Sequence, residues 1–235
     1  MPSSRLALAL ACAALVLPGA ARAADGRTLY EESCSSCHGL DARGVPQAGP
    51  SLLEAGPASL DFELSTGRMP MTTEPGEQPE RKERRFDDEA IRAITDYVVS
   101  LGARGPAVPD VDAARGDVGA GLRTFTAFCA GCHQVVGRGG VVVGATAPPL
   151  DRATARQVAE AVRVGPYVMP AFGEEAIDDA ALDDLAAYLA YARRPEDPGG
   201  WSLSHLGPIP EGMVAWLVGA AALVAVARLL GERAP

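Results

Sequence analysis

One five-residue pattern occurs twice in this chain, as CSSCH at residues 34–38 and as CAGCH at residues 129–133. Aligning the sequence on those cysteines brings much more into register. Gly26 falls opposite Gly121, and Tyr30 opposite Phe125, each aromatic four residues ahead of its first cysteine. Downstream, GPSL (49–52) parallels APPL (147–150), and GRMP (67–70) parallels GPYVMP (165–170), the second copy being two residues longer. DDEAIRAITDYV (87–98) then parallels DDAALDDLAAYL (178–189). A chain that repeats itself at this level folds as two like units, so whatever one half is built around, the other is built around too.

The last matched pair has the period of a helix. Ile91, Ile94, Val98 and Leu101 share one face, as do Leu182, Leu185 and Leu189. Asp87 or Asp88, and Asp178 or Asp179, are suited to cap the helix starts and to favour their positive dipole ends. A short helix is also expected ahead of each cysteine pair, beginning near Asp25 and Gly119. The expected fold is therefore mainly α: domain 1 over 25–102, a Gly/Pro/Asp-rich linker over 103–117, domain 2 over 118–193, and a second linker over 194–211. Domains of roughly 75 to 80 residues lie near the lower limit for folding on an apolar core alone, so each needs a staple.

The pattern C-x-x-C-H supplies one, because it reads as covalent attachment of haem c. Two cysteines three residues apart reach the two vinyl groups on one porphyrin edge, and the adjacent histidine turns under the ring to bind iron. Cys34, Cys37, Cys129 and Cys132 are the attachment candidates, with His38 and His133 as the first axial ligands of two haems. A zinc site shared between the cysteine pairs and a pair of structural disulfides are the rivals. Neither explains a histidine directly after both pairs. The second axial ligand follows by elimination. The remaining histidine, His205, lies in the second linker, while Met1 and Met213 lie in the terminal apolar segments. That leaves Met69 or Met71 for the first haem and Met169 for the second, with Met69 matching the Met-Pro pattern of the second half. Met71 reads more simply as packing near the haem. His/Met ligation raises the reduction potential and closes the iron, which suits electron transfer and not chemistry on a substrate.

The ends place these domains. Arg5, the apolar run 6–17 and the Ala21-Arg22-Ala23 triplet read as a secretory signal peptide over 1–23, an uncleaved anchor being the alternative. At the other end, residues 212–231 carry only Arg228 as a charge. About 19 apolar residues rising 1.5 Å each span a bilayer's hydrocarbon core. Arg228 and Arg233 follow the segment's uncharged run, 212–227, while Glu196, Asp197 and Glu211 precede it. The expected arrangement is thus a single C-terminal transmembrane helix in the cell membrane, with the haem domains on the extracytoplasmic side. A formal net charge of −9 and the lack of any basic stripe exclude a nucleic-acid partner.

Each half resembles a class I cytochrome c domain: helix with glycine and aromatic, C-x-x-C-H, proline-containing loop, Met-Pro, terminal helix. The resemblance implies that the end helices cross at Gly26 and Tyr30 with Tyr97, and at Gly121 and Phe125 with Tyr188. It also implies that the carbonyls of Pro50 and Pro148 accept the histidine N–H groups. The whole chain is similar to the dihaem cytochrome c subunit of the actinobacterial menaquinol–cytochrome c reductase. The stretches carrying this are TGRMPM (66–71), QPERK (78–82), GRGG (137–140), RRPEDPGG (193–200) and GPIPEGMVAWLVG (207–219). That likeness implies partners: a Rieske iron–sulfur protein and cytochrome b in one complex, and a terminal cytochrome c oxidase that receives the electrons. A free-standing membrane-anchored dihaem carrier is the alternative, and a dihaem peroxidase or dehydrogenase is another. Between Met69 and Asp87 the first half carries about nine more residues than the second does between Met169 and Asp178. This insert holds Arg81, Lys82, Arg84 and Arg85 and is expected to dock on another subunit.

Overall fold

The computed structural model describes residues 25–71, 79–196 and 208–231. The expected signal peptide, the first part of the basic insert and much of the second linker lie outside those residues. The chain divides into two compact units, Met1–Leu189 and Ala190–Pro235.

Within the first unit the two halves follow one plan. Helix α1 (Gly26–Ser33) runs directly into α2 (Ser35–His38), and α3 (Gly56–Ser65) and α4 (Asp88–Ser100) complete the first half. In the second half α5 (Val118–Phe128) runs into α6 (Ala130–His133). A two-stranded antiparallel hairpin, β1 (Gly140–Val142) with β2 (Ala145–Ala147), comes next, followed by α7 (Ala155–Val164) and α8 (Asp179–Arg193). Side-chain oxygens of Asp25, Asp87, Asp117 and Thr154 accept from backbone N–H groups at the starts of α1, α4, α5 and α7. Asp178 does the same for the N–H of Ala181 at the start of α8.

The end helices of each half cross so closely that no side chain fits between them. A Cβ on Gly26 would lie 1.9 Å from the carbonyl oxygen of Ala93, and one on Gly121 would lie 2.0 Å from that of Asp184. One turn further on, Tyr30 meets Tyr97 with ring centroids 5.4 Å apart, and Phe125 meets Tyr188 at 5.3 Å. Ile91, Ile94 and Val98 on α4, and Leu182, Leu185 and Leu189 on α8, are buried, as their period requires. Leu101 is only half buried.

The first linker is not a loose tether. The N–H groups of Ala58 and Arg104 bind the carbonyls of Pro106 and Leu53, which lays the linker's start on the first half. Its end is held to α8, where Arg115 and the N–H of Asp112 both bind the Asp183 carboxylate. Gly and Pro content signals a break in regular structure but says nothing about such contacts.

Helices α3 and α7 face each other and form a seam between the halves. Arg156 on α7 pairs with Asp61 on α3 and with Glu160 one turn along its own helix. Gln157 donates to the carbonyl and hydroxyl of Ser65 at 3.2 and 3.1 Å. Glu160 is fully buried, and one of its oxygens has no partner. Burial, followed by the neighbouring Asp61 carboxylate, pushes the Glu160 carboxyl up to about 9, against the pull of Arg156.

Glu160 therefore keeps its proton in the folded chain at pH values where an unfolded chain, with an ordinary value of 4.5, has released it. Stability falls as pH rises between those two limits. Glu160→Gln, which mimics the neutral acid, should melt higher than the parent at pH 8 by on the order of 1–2 kcal/mol and nearly level with it at pH 5. Melting curves at the two pH values check this.

In the second unit, α9 (Pro208–Gly231) contains the one stretch among the described residues long and apolar enough to cross a bilayer. It covers Gly212–Gly231, 20 residues with a mean hydropathy of 2.2, and its side chains are exposed.

Candidate haem sites

In each half the first helix ends at a cysteine, and the next short helix carries the second cysteine and the histidine. Cys34 and Cys129 cap the junctions, their N–H groups bonded to the carbonyls of Tyr30 and Phe125. Both are half buried, whereas Cys37 and Cys132 are exposed, and all four are free thiols. Burial pushes the Cys34 and Cys129 thiols up to about 11. Among the described residues no three His, Cys, Asp or Glu side chains converge as a metal cage would require.

The histidines are held alike. Nδ1 of His38 lies 2.8 Å from the carbonyl oxygen of Pro50, and Nδ1 of His133 lies 3.1 Å from that of Pro148. A carbonyl can only accept, so in both rings Nδ1 carries the proton and Nε2 is left with its lone pair, as iron ligation needs. Burial lowers the His133 value and so favours the neutral ring, offset in part by the Pro148 bond.

His38 lines an apolar cleft whose walls also include Cys34, Leu60, Leu64, Ile94 and Met69. Met69 is placed there by the end of α3: its N–H and that of Arg68 both donate to the carbonyl of Glu63, and Gly67 supplies the left-handed turn. Met71 lies outside the lining and is 39% exposed. One thiol, a lone-pair nitrogen and a thioether line this apolar cleft, with the second thiol of the motif, Cys37, exposed beside His38; these are the donors a covalently held haem needs, and the residues fit that group.

In the second half Met169 sits in the loop between α7 and α8. Arg163 pins that loop from inside, donating to the carbonyls of Phe172 and Ile177 at 3.2 and 2.6 Å and pairing with Asp179 at 2.8 Å. Phe172 then packs edge-on against Phe128, the residue before Cys129, with centroids 5.6 Å apart. The loop is thus tied to the cysteine motif as well as to both helices.

Sequence reasoning missed the residues that join the sites across the seam. The Tyr167 hydroxyl, two residues before Met169, binds both oxygens of Glu63 at 3.1 and 3.0 Å, and Glu63 lines the first cleft. Burial raises the Glu63 value, opposed by the Tyr167 bond and by Arg68. The two-residue excess of GPYVMP over GRMP was the available signal, since it is the segment that carries Tyr167. The pair Thr154 and Gln157, a capping box, likewise announces α7. Of the basic insert, Arg81 turns inward and donates to Gln157 at 2.8 Å, and Arg84 pairs with Asp88. Arg81, expected to dock on another subunit, is engaged within the chain.

The family comparisons agree with this geometry. Residues 23–102 match the model of the family described as cytochrome c, and residues 116–189 match that described as cytochrome C oxidase, cbb3-type, subunit III. The chain is 40% identical over 217 residues to the cytochrome bc1 complex cytochrome c subunit of Mycobacterium tuberculosis, covering 88% of this chain and 77% of that one. It is 36% identical over 227 residues to the same subunit of Corynebacterium diphtheriae, covering 89% and 80%. A more distant relative is the cbb3-type cytochrome c oxidase subunit CcoP of an Azospirillum species, 29% identical over 189 residues, with 71% and 60% covered.

Replacing Arg163 by Met removes three contacts from a nearly buried guanidinium and should destabilise the fold by about 2–3 kcal/mol. Hydrogen exchange should accelerate across residues 165–177 while that of α1 and α4 in the first half stays slow.

Proposed function

The chain belongs to the family of cytochrome bc1 complex cytochrome c subunits, and on that footing we propose that it carries electrons within a quinol–cytochrome c reductase. Its place is between the Rieske iron–sulfur protein and a terminal cytochrome c oxidase, beside cytochrome b in the same complex. The observation that carries this reading is the duplication of one site: C-x-x-C-H, an Nδ1–proline carbonyl bond and a downstream methionine loop in each half.

Two haem c groups would be held through Cys34 and Cys37, and through Cys129 and Cys132, with His38 and Met69, and His133 and Met169, as axial ligands. When bound, such groups supply reversible one-electron chemistry. The protein's part is to orient. The carbonyls of Pro50 and Pro148 fix the ring planes and raise the basicity of Nε2. Leu60, Leu64 and Ile94 exclude water on the first cleft's apolar side, and Glu63 with Tyr167 joins the first cleft to the second methionine loop.

The apolar span over 212–231 would tether the subunit to the cell membrane, and Arg228 near its C-terminal end favours placing the haem domains on the extracytoplasmic side. The oxidase end of the path draws support from the family model that the second half matches and from the CcoP relative of the chain, both described as oxidase subunits.

Met169→Ala should keep full haem content but remove the methionine–iron charge-transfer band of one haem and lower its potential. Met69→Ala should do the same to the other haem, and Met71→Ala to neither. A spectrum that changes in Met71→Ala and not in Met69→Ala would reverse the assignment in the first half.

Purification in mild detergent should bring down cytochrome b, the Rieske protein and an oxidase with this chain. Migration by itself would instead indicate a free-standing carrier.

A further inference from the structure

We propose that the guanidinium of Arg68 binds a haem propionate, a carboxylate brought by the cofactor, at the seam between the two halves. The inference rests on the haem reading above. Arg68 is 6% exposed, and its Nε and Nη1 have no hydrogen-bond partner. Its guanidinium lies 5.0 Å from the Phe62 ring centroid, on the helix that faces α7, and its backbone leads straight to Met69 in the first cleft.

A guanidinium stays charged in any protein, and its planar fork of donors matches two carboxylate oxygens. Burying that charge with two donors unsatisfied is costly unless an anion joins it.

The surrounding charges sharpen the argument. Arg81, half buried, is held below its ordinary value first by burial and then by repulsion from Arg68 and Arg152, with Asp151 the opposing anion. Arginines from both halves therefore converge on the seam. Glu63, the carboxylate acting with Arg68, is already engaged by the Tyr167 hydroxyl, and its burial disfavours the charged form. Against these three arginines the described residues set Asp151 and Glu63. Each haem brings two carboxylates, and the first cleft is lined by Glu63 and Met69, the residue that follows Arg68 in the chain.

The test uses the full haem-loaded chain in detergent, with Arg68→Gln and Arg68→Lys compared by redox titration and by resonance Raman spectra of the propionate modes. A Met169→Ala background separates the two haems in the titration. Loss of the cation favours ferric iron. At fixed ambient potential, Arg68→Gln should shift the oxidised-to-reduced ratio of one haem upward by about fivefold and move its propionate band. Arg68→Lys should recover much of the ratio but not the band, since an ammonium keeps the charge and loses the fork.

A shift in the first haem names that haem as the carboxylate's source, and a shift in the second names the other. Ratios and bands that stay put in both variants, with haem content intact, would overturn the proposal. It would equally be overturned if Glu74→Gln with Glu77→Gln reproduced the Arg68→Gln effect, for then the anion would belong to this chain. A parent chain lacking covalent haem would overturn the haem reading first, an outcome visible before any variant is made.

Discussion

A helix crossing with no room for a side chain underlies each half of this protein. At Gly26 and at Gly121 the first helix of the half meets the backbone of the last, and any Cβ would fall inside a carbonyl oxygen. Everything near the cysteines depends on that contact. Because α1 and α5 run without a break into the C-x-x-C-H segment, fixing the crossing fixes where the cysteines and histidine begin. The aromatic pairs one turn along, Tyr30 with Tyr97 and Phe125 with Tyr188, set the angle. Their hydroxyls then reach past the motif: Tyr30 donates to the carbonyl of Gly39 at 2.7 Å, and Tyr188 to that of Val135 at 2.5 Å. A close backbone contact is thereby carried, through two rings, to the residues just after each histidine.

The seam between the halves obeys a different physics. The crossings are apolar and tightly packed, whereas α3 and α7 meet through Asp61, Arg156, Gln157 and Glu160, with Tyr167 and Glu63 beside them. Buried ionic contacts of this kind add little net stability, because desolvation offsets attraction, but they penalise misalignment heavily. That suits a structure in which two like halves must keep a fixed relation. The same groups bring titration into the interior, and Glu160 retains its proton at neutral pH as a result.

Much of this was legible in the sequence wherever the signal was local or repeated. The duplication gave two like halves; the spacing of Ile91, Ile94 and Val98 gave the buried face of α4; and Asp87 marked its start. The motif marked the cysteines and histidines as candidates, and elimination narrowed the candidate methionines. What stayed hidden depends on contacts between distant residues. No period or composition relates Asp61 to Arg156, or Tyr167 to Glu63, since each pair is joined only when α3 and α7 are brought face to face. Arg81 is a further case: in a run of basic residues it reads as a solvated or docking charge, and the contact it makes with Gln157 appears only in the fold. The choice of Met69 over Met71 came from matching the halves, and the structure adds a physical reason, because the end of α3 directs Met69 alone of the two to the cleft.

The central claim is that one chain holds two covalent haems in two equivalent sites. Intact mass measurement of the purified chain after full denaturation and acid–acetone extraction tests it most directly. The account predicts a single species heavier than the polypeptide by two haem groups, falling to one in Cys34→Ala with Cys37→Ala and to one in Cys129→Ala with Cys132→Ala. A parent mass equal to the bare polypeptide, or heavier by one haem only, would contradict it.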